Sequence, residues 1–210
     1  MQQNVQFWNN TAAKYAKSKV GDPAAYETTL ARARSYLKAS DHVLELGAGT
    51  GTTALHLAPA VAQYTVSDVS PAMLDIARDK IFNAGANNID LALGDVSEAP
   101  RGPFDVVCAF NLLHLVEDLD GALSHVQQMV KPGGLFISKS ICEPEEGAGW
   151  KFRVLRRLIP LMQLLGKAPF VAFRTIAGFE QQVADAGFEI LETGNYPAKP
   201  PSRFIVARRL

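Results

Sequence analysis

The sequence predicts an α/β fold: a doubly wound, mostly parallel sheet of seven strands with helices on both faces. Three observations carry that reading. The run Val43-Leu44-Glu45-Leu46-Gly47-Ala48-Gly49-Thr50-Gly51 reads as a buried strand entering a glycine-rich turn that opens a helix near Thr52. Strand-like and helix-like segments then alternate along the chain, which implies right-handed crossovers between parallel strands. Finally, an acid, Asp68, ends the second strand-like run about 20 residues beyond the glycine turn, the spacing expected of a nucleotide-binding sheet.

Element by element, residues 2–38 read as helices ahead of the sheet, because Phe7, Trp8, Ala12 and Tyr15 fall at helical spacing. Strands are expected near 42–47, 63–68, 89–94, 104–110, 134–139, 188–193 and 203–208. Helices are expected near 52–60, 71–84, 117–130 and 175–186. The 71–84 helix has a start signal in Ser70-Pro71, an apolar face in Met73, Leu74, Ala77 and Ile81, and a stop at Asn83-Ala84-Gly85. Lys131-Pro132-Gly133-Gly134 reads as a turn before the fifth strand. The organisation is a single domain, 1–210: an N-terminal helical cap over 1–40, a core over 41–142, an insertion over 143–174, and a final helix and strands over 175–210.

Composition narrows the function. A chain of 210 residues with 48% hydrophobic content supports one sizeable core and excludes disorder. The opening Met1-Gln2-Gln3-Asn4 has neither a charged start nor an apolar run, and no window is apolar enough to span a bilayer, so a cytoplasmic protein is expected. Cys108 and Cys142 form no C-x-x-C pair and read as reduced thiols with no zinc site. Net charge is zero, without a broad basic face, which argues against a nucleic acid partner. One stretch departs from this balance. Residues 147–179 hold Lys151, Arg153, Arg156, Arg157, Lys167 and Arg174 and no acid.

The glycine turn specifies the ligand further. A dinucleotide fingerprint places its third glycine where Thr52 stands, and the pattern here is G-x-G-x-G instead. That disfavours a nicotinamide oxidoreductase. Gly47, Gly49 and Gly51 let a ligand approach the main chain, and Glu45 suits a cationic or ammonium group. Asp68 suits a ribose diol, because a carboxylate only accepts and has two oxygens. These residues resemble the first motif of the class I S-adenosylmethionine-dependent methyltransferases. The run from Asp68 through Val69, Ser70 and Pro71 to Met73 and Leu74 is similar to their second-strand signature.

The resemblance implies a Rossmann-like sheet with an antiparallel last strand, S-adenosyl-L-methionine as cofactor, S-adenosyl-L-homocysteine as product, and no metal. It implies a binding set of Tyr15, Glu45, Gly47, Gly49, Gly51, Asp68, Val69, Met73, Asp95, Val96 and Asn111. In that set Asp95 accepts from the adenine amino group with Val96 beside the ring, and the backbone at Asn111 meets the methionyl part. In many relatives of that family a tyrosine at the place of Tyr15 touches the ligand from the N-terminal helix; packing against the sheet is the alternative role.

His114, just after the fourth strand, is the catalytic candidate, as base or orienter; His56 and His125 read as structural or surface residues. Phe110-Asn111-Leu112-Leu113 stands where many DNA amine methyltransferases carry an Asn-Pro-Pro-Tyr-like signature, which argues against DNA adenine methylation. The nearest resemblance is to the ubiquinone/menaquinone-biosynthesis-like group, through the glycine motif and Asn111-Leu112-Leu113-His114. The expected acceptor is a small, lipophilic molecule covered by the 143–174 insertion.

Within the insertion, 150–167 reads as an amphipathic helix broken by Pro160. It is first a lid and, as a minor reading, a peripheral membrane contact. A non-catalytic S-adenosylmethionine-binding regulatory module is the alternative from another class.

Overall fold

The computed structural model describes residues 2–144, 157–159, 162–163 and 167–210. Two helices, α1 (Gln2–Lys17) and α2 (Pro23–Arg34), precede the sheet. The core then runs β1 (His42–Leu46), α3 (Thr52–Leu57), β2 (Gln63–Asp68), α4 (Pro71–Ala84), β3 (Ile89–Leu93), β4 (Phe104–Phe110), α5 (Leu119–Met129) and β5 (Val130–Ile141). The chain closes with α6 (Ile176–Asp185), β6 (Phe188–Ala198) and β7 (Pro201–Arg209). Short 3-10 turns occupy Ala58–Ala60 and Leu113–Leu115.

The seven strands lie in the order β3-β2-β1-β4-β5-β7-β6. β1 to β5 pair in parallel, and β7 is antiparallel to both of its neighbours. The order reverses between β1 and β4, and a crevice opens there at the carboxyl ends of the strands. Val43, Leu44 and Leu46 are buried because helices cover both faces. One face packs Leu44, Val107, Phe136 and Ile205 against α5 and α6. The other packs Val43, Val66, Val106 and Ile137 against α2, α3 and α4.

Local sequence explains the helix starts. Ser70 caps α4 by accepting from the Met73 N–H, with Pro71 in the first turn; Asp22, Asp118 and Thr175 cap α2, α5 and α6 in the same way. Gly85 ends α4 in the left-handed conformation. The expected α4 face of Met73, Leu74, Ala77 and Ile81 is the buried one.

Boundaries moved where long-range pairing took over. β5 begins at Val130 rather than 134, because Val130 pairs with Phe104 before the register jumps to Val106 opposite Leu135. Lys131-Pro132-Gly133-Gly134 is therefore an irregularity inside the strand, not a turn ahead of it. β6 and β7 each extend beyond their expected ends because they form a long hairpin with one another. Among the described residues no helix is long and apolar enough to cross a membrane. The amphipathic segment 150–167, and much of the 143–174 insertion around it, falls outside the described residues.

Candidate active site

The ends of four strands, β1 to β4, build the cleft together with residues of α1, α4 and α5. β1 delivers Gly47 and Gly49, β2 delivers Asp68 and Val69, and the turn after β3 delivers Asp95 and Val96. From above, α1 contributes Val5, Trp8 and Tyr15. The cavity measures about 520 Å³, within the usual range for small-molecule sites.

The glycine turn has the shape its composition requires. Gly47, Gly49 and Gly51 all have positive φ, of 61°, 56° and 70°. A β-carbon on Gly47 would lie 2.6 Å from Leu112 Cδ1, so this turn and the turn after β4 are in contact there. Gly51 does not face the cleft. It starts α3 and packs against Ala77 of α4.

Asp68 organises the turn. Its Oδ2 accepts the Gly49 N–H at 2.8 Å and its Oδ1 accepts the Ser70 N–H at 2.9 Å. A carboxylate has about four lone-pair sites, so two remain for a diol presented from the cleft. Burial raises the Asp68 pKa, and backbone N–H groups of Ser70, Gly49 and Val69 oppose the rise. Asp95 holds its own turn: Oδ1 accepts from Ser97 N, Ser97 Oγ and Glu98 N. It is both the turn acid its context suggests and a cleft residue.

Glu45 lies beneath the cleft rather than on its lining. It is 2% exposed and accepts from Tyr64 Oη at 2.9 Å. Burial pushes its pKa up to about 8, the Tyr64 hydrogen bond opposes the rise, and Asp68 adds to it.

Met73 and Asn111 also line the cleft. Asn111 has φ of 57°, the one positive value at a non-glycine among the described residues, and its N–H is tied to the Lys139 carbonyl at 2.7 Å.

His114 stands behind the wall. It is 8% exposed, its Nδ1 lies 3.3 Å from Ser140 Oγ, and it is not among the cleft residues. Burial, with the Arg174 charge beside it, pushes the imidazole down to about 4, so it is neutral at physiological pH. The histidine that does line the cleft is His125 of α5, whose Nδ1 lies 2.8 Å from the Gly121 carbonyl. Helical spacing alone gave no signal for it. The capping acid Asp118 and the small residues Gly121 and Ala122, at one helical turn from each other along α5, are the nearest thing to one.

The charge of the cleft decides what fits. Asp68, Asp95, Glu117 and Asp118 line it, with no lysine or arginine among the described lining residues. Such a site suits a donor carrying a sulfonium and an ammonium, and opposes a pyrophosphate. Residues 20–193 match a family model described as "Methyltransferase domain". The chain belongs to the class I S-adenosylmethionine-dependent methyltransferases.

Curated relatives match part of the chain. This methyltransferase is 37% identical over 134 residues to the polyketide synthase ThaG of Burkholderia thailandensis, across 57% of this chain and 2% of that one. It is 32% identical over 110 residues to the reducing polyketide synthase Preu2 of Preussia isomera, across 49% of this chain and 5% of that one. The chain thus spans a small fraction of these relatives' length.

Among solved structures it resembles magnesium protoporphyrin IX methyltransferase from Synechocystis, solved with bound SAH, at a TM-score of 0.75 and 20% identity over 98% of both chains. It also resembles DhpI, solved as an SAH complex, at 0.74 and 19% identity over 99% of this chain and 95% of that one. At those identities the likeness is one of fold.

Proposed function

We propose that this enzyme methylates a small, lipophilic acceptor by in-line displacement at the sulfonium methyl. The observation that carries the reading is a cleft lining that combines carboxylates with hydrocarbon. Asp68, Asp95, Glu117 and Asp118 supply the carboxylates, while Trp8, Val5, Phe110, Leu112, Leu115 and Val116 supply hydrocarbon. An apolar acceptor is drawn there by burial of its surface. The likeness to parts of polyketide synthases points the same way, towards acyl-type acceptors.

In this reading Gly47 and Gly49 let the methionyl part lie on the main chain. Asp68 takes the ribose hydroxyls with its two free lone pairs. Asp95 and Val96 hold the adenine, and Val69, Met73, Tyr15 and Asn111 close around the donor. Glu45 lies below, where a bound cation would favour its charged form over the protonated form that burial favours. Bound S-adenosylmethionine supplies an already activated methyl group. The residues around it are left with orientation, which is worth up to roughly 7–11 kcal/mol in favourable intramolecular cases. His114 enters as a positioning residue: a neutral imidazole near pKa 4 is a weak base, and it sits against Ser140 rather than in the cleft. The 143–174 insertion is proposed to cover the acceptor.

Calorimetry with S-adenosylmethionine tests the donor half. Asp68→Ala removes a charged acceptor, a contact worth about 1.5–3 kcal/mol, so affinity should fall by roughly one to two orders of magnitude. Unchanged affinity in the variant, or preference for a nicotinamide dinucleotide in the wild type, would overturn the donor site. Turnover of labelled methyl groups against polar and lipophilic acceptor panels tests the other half. Transfer confined to polar acceptors would overturn the lipophilic assignment.

A further inference from the structure

The turn after β4 forms one wall of the cleft, yet its own sequence does little to hold it. Leu112, Leu115 and Val116 line the cavity from this turn. Internally it has the Leu115 N–H to the Leu112 carbonyl at 2.8 Å and the Val116 N–H to the Leu113 carbonyl at 3.3 Å. Three carbonyls of the turn, those of Leu113, His114 and Val116, take hydrogen bonds from a segment about 60 residues away in sequence. Arg174 donates through Nη1 to the Leu113 carbonyl at 3.0 Å and through Nη2 to the Val116 carbonyl at 2.9 Å. Two residues earlier, the Ala172 N–H donates to the His114 carbonyl at 2.7 Å. The far side of this anchor is tied to the sheet, because the Arg174 carbonyl accepts the Glu143 N–H at 2.8 Å just beyond β5.

A guanidinium is suited to this task. Its donors lie in one rigid plane, so it spans two carbonyls with a single side chain, and hydrogen bonds from a charged donor are stronger than neutral ones. The carbonyl end of a short helical turn also favours a cation. The geometry points to Arg174 as a positioning residue for the donor: it clamps the Leu113–Val116 turn and thereby holds the Leu112 wall against the Gly47 turn.

The mechanical path is continuous. The Arg174 fork grips the Leu113 and Val116 carbonyls. Leu112 precedes them and presses on the face of Gly47, where even a β-carbon would come within 2.6 Å of it. Downstream, Val116 leads directly to Asp118, which caps α5 and lines the cleft. One side chain therefore sets both the position of Leu112 over the glycine turn and the entry of α5. The same guanidinium faces His114, and its charge helps keep that imidazole neutral. The inference rests on the donor site proposed above.

The test compares wild type, Arg174→Lys and Arg174→Ala in the full chain. S-Adenosylhomocysteine affinity is measured by calorimetry well below each protein's melting temperature. Amide exchange is followed at Leu115 and Val116, and the four histidines are titrated by NMR, with His114→Asn assigning the His114 signal.

Arg174→Ala should weaken binding by roughly 5- to 50-fold, because only part of the loss of two charge-assisted hydrogen bonds is passed on to the donor site, and should speed exchange at both amides. Arg174→Lys, which keeps the charge but not the fork, should fall between alanine and wild type. In the alanine variant the His114 titration should move upwards, whereas lysine should leave it close to wild type. Should Arg174→Ala fail to fold, the lysine variant carries the test, since it must still lose affinity and protection together. Wild-type affinity in a folded Arg174→Ala with only a lower melting temperature would overturn the inference and make Arg174 purely structural. Failure of the wild type itself to bind S-adenosylhomocysteine would instead remove the donor-site reading, and this inference with it.

Discussion

Two turns face each other across the cleft and are held in opposite ways. The turn after β1 is shaped from within. Three glycines at alternate positions take positive φ, and Asp68 on the neighbouring strand adds one hydrogen bond to Gly49. The turn after β4 has a single residue in that conformation, Asn111, and its shape depends on Lys139, Ala172 and Arg174. The first is written in adjacent residues. The second is written in contacts that form only once the sheet and the final third of the chain are in place. The comparison teaches that a binding site can have one wall of local origin and one of distant origin, and that the two respond differently to mutation.

The harshest way to break the comparison is at their point of contact. Gly47→Ala combines a left-handed backbone with a β-carbon 2.6 Å from Leu112 Cδ1. Overpacking of this kind costs typically 1–3 kcal/mol, and strain in the left-handed region adds roughly 1–2 kcal/mol. A fall in stability of about 2–5 kcal/mol is expected in urea unfolding, together with loss of detectable S-adenosylmethionine binding. A variant that binds normally would show that Leu112 yields freely and that the two walls are not coupled.

A second measurement addresses the charges under each wall. Glu45 faces Tyr64, Cys108 and Asp68, and its pKa is pushed from 4.5 up to about 8, largely by burial. The folded protein therefore holds a proton that the unfolded chain has released, and stability from this group is lost as pH rises from 4.5 through 8. His114 works in the opposite direction. Its pKa is lowered from 6.5 to about 4, so its contribution is lost as pH falls through that interval.

Where the intervals overlap the two effects offset each other. Between pH 6.5 and 8 Glu45 acts alone of the pair, and unfolding free energy should decline by up to about 1.4 kcal/mol per pH unit. Urea unfolding at several pH values should show that decline in wild type and a flatter profile in Glu45→Gln. An identical slope in the variant would move the proton to another group. Bound donor, being cationic, should also steepen the competition for that proton.

The mildest expected change is at Asn111. Asparagine tolerates the left-handed region better than other side chains, so Asn111→Gly relieves little strain while loosening the unfolded chain. A net change within about 0.5–1 kcal/mol is expected in the unfolding free energy from urea denaturation, with donor affinity nearly unchanged because the Asn111 N–H to Lys139 bond is a backbone bond. A large loss of affinity would instead reveal a direct role for the Asn111 side chain.

The sequence by itself determined the glycine-turn side of the cleft. Positive φ at Gly47, Gly49 and Gly51, the cap at Ser70-Pro71, and the acid ending β2 are properties of neighbouring residues and of strand periodicity, and each is legible without a fold. The α/β class followed from alternation, and the β1-turn-α3 unit from composition.

What only the tertiary structure decided concerns which side chains meet across the sheet. Periodicity marks the surface of a helix but not which surface faces a cleft, so it does not single out Val5 or His125, and position after a strand does not show that His114 is buried against Ser140, outside the cleft lining. Glu45 went beneath the cleft because strand pairing sets it beside Tyr64. Gly51 went against Ala77 because α4 packs there. The Arg174 clamp lies beyond any local pattern, since hydrogen bonds spanning 58 and 61 residues exist only when β5, the insertion and α6 bring that segment back over the fourth strand. Backbone conformation is decided by neighbours along the chain, whereas burial, charge environment and partner choice are decided by neighbours in space.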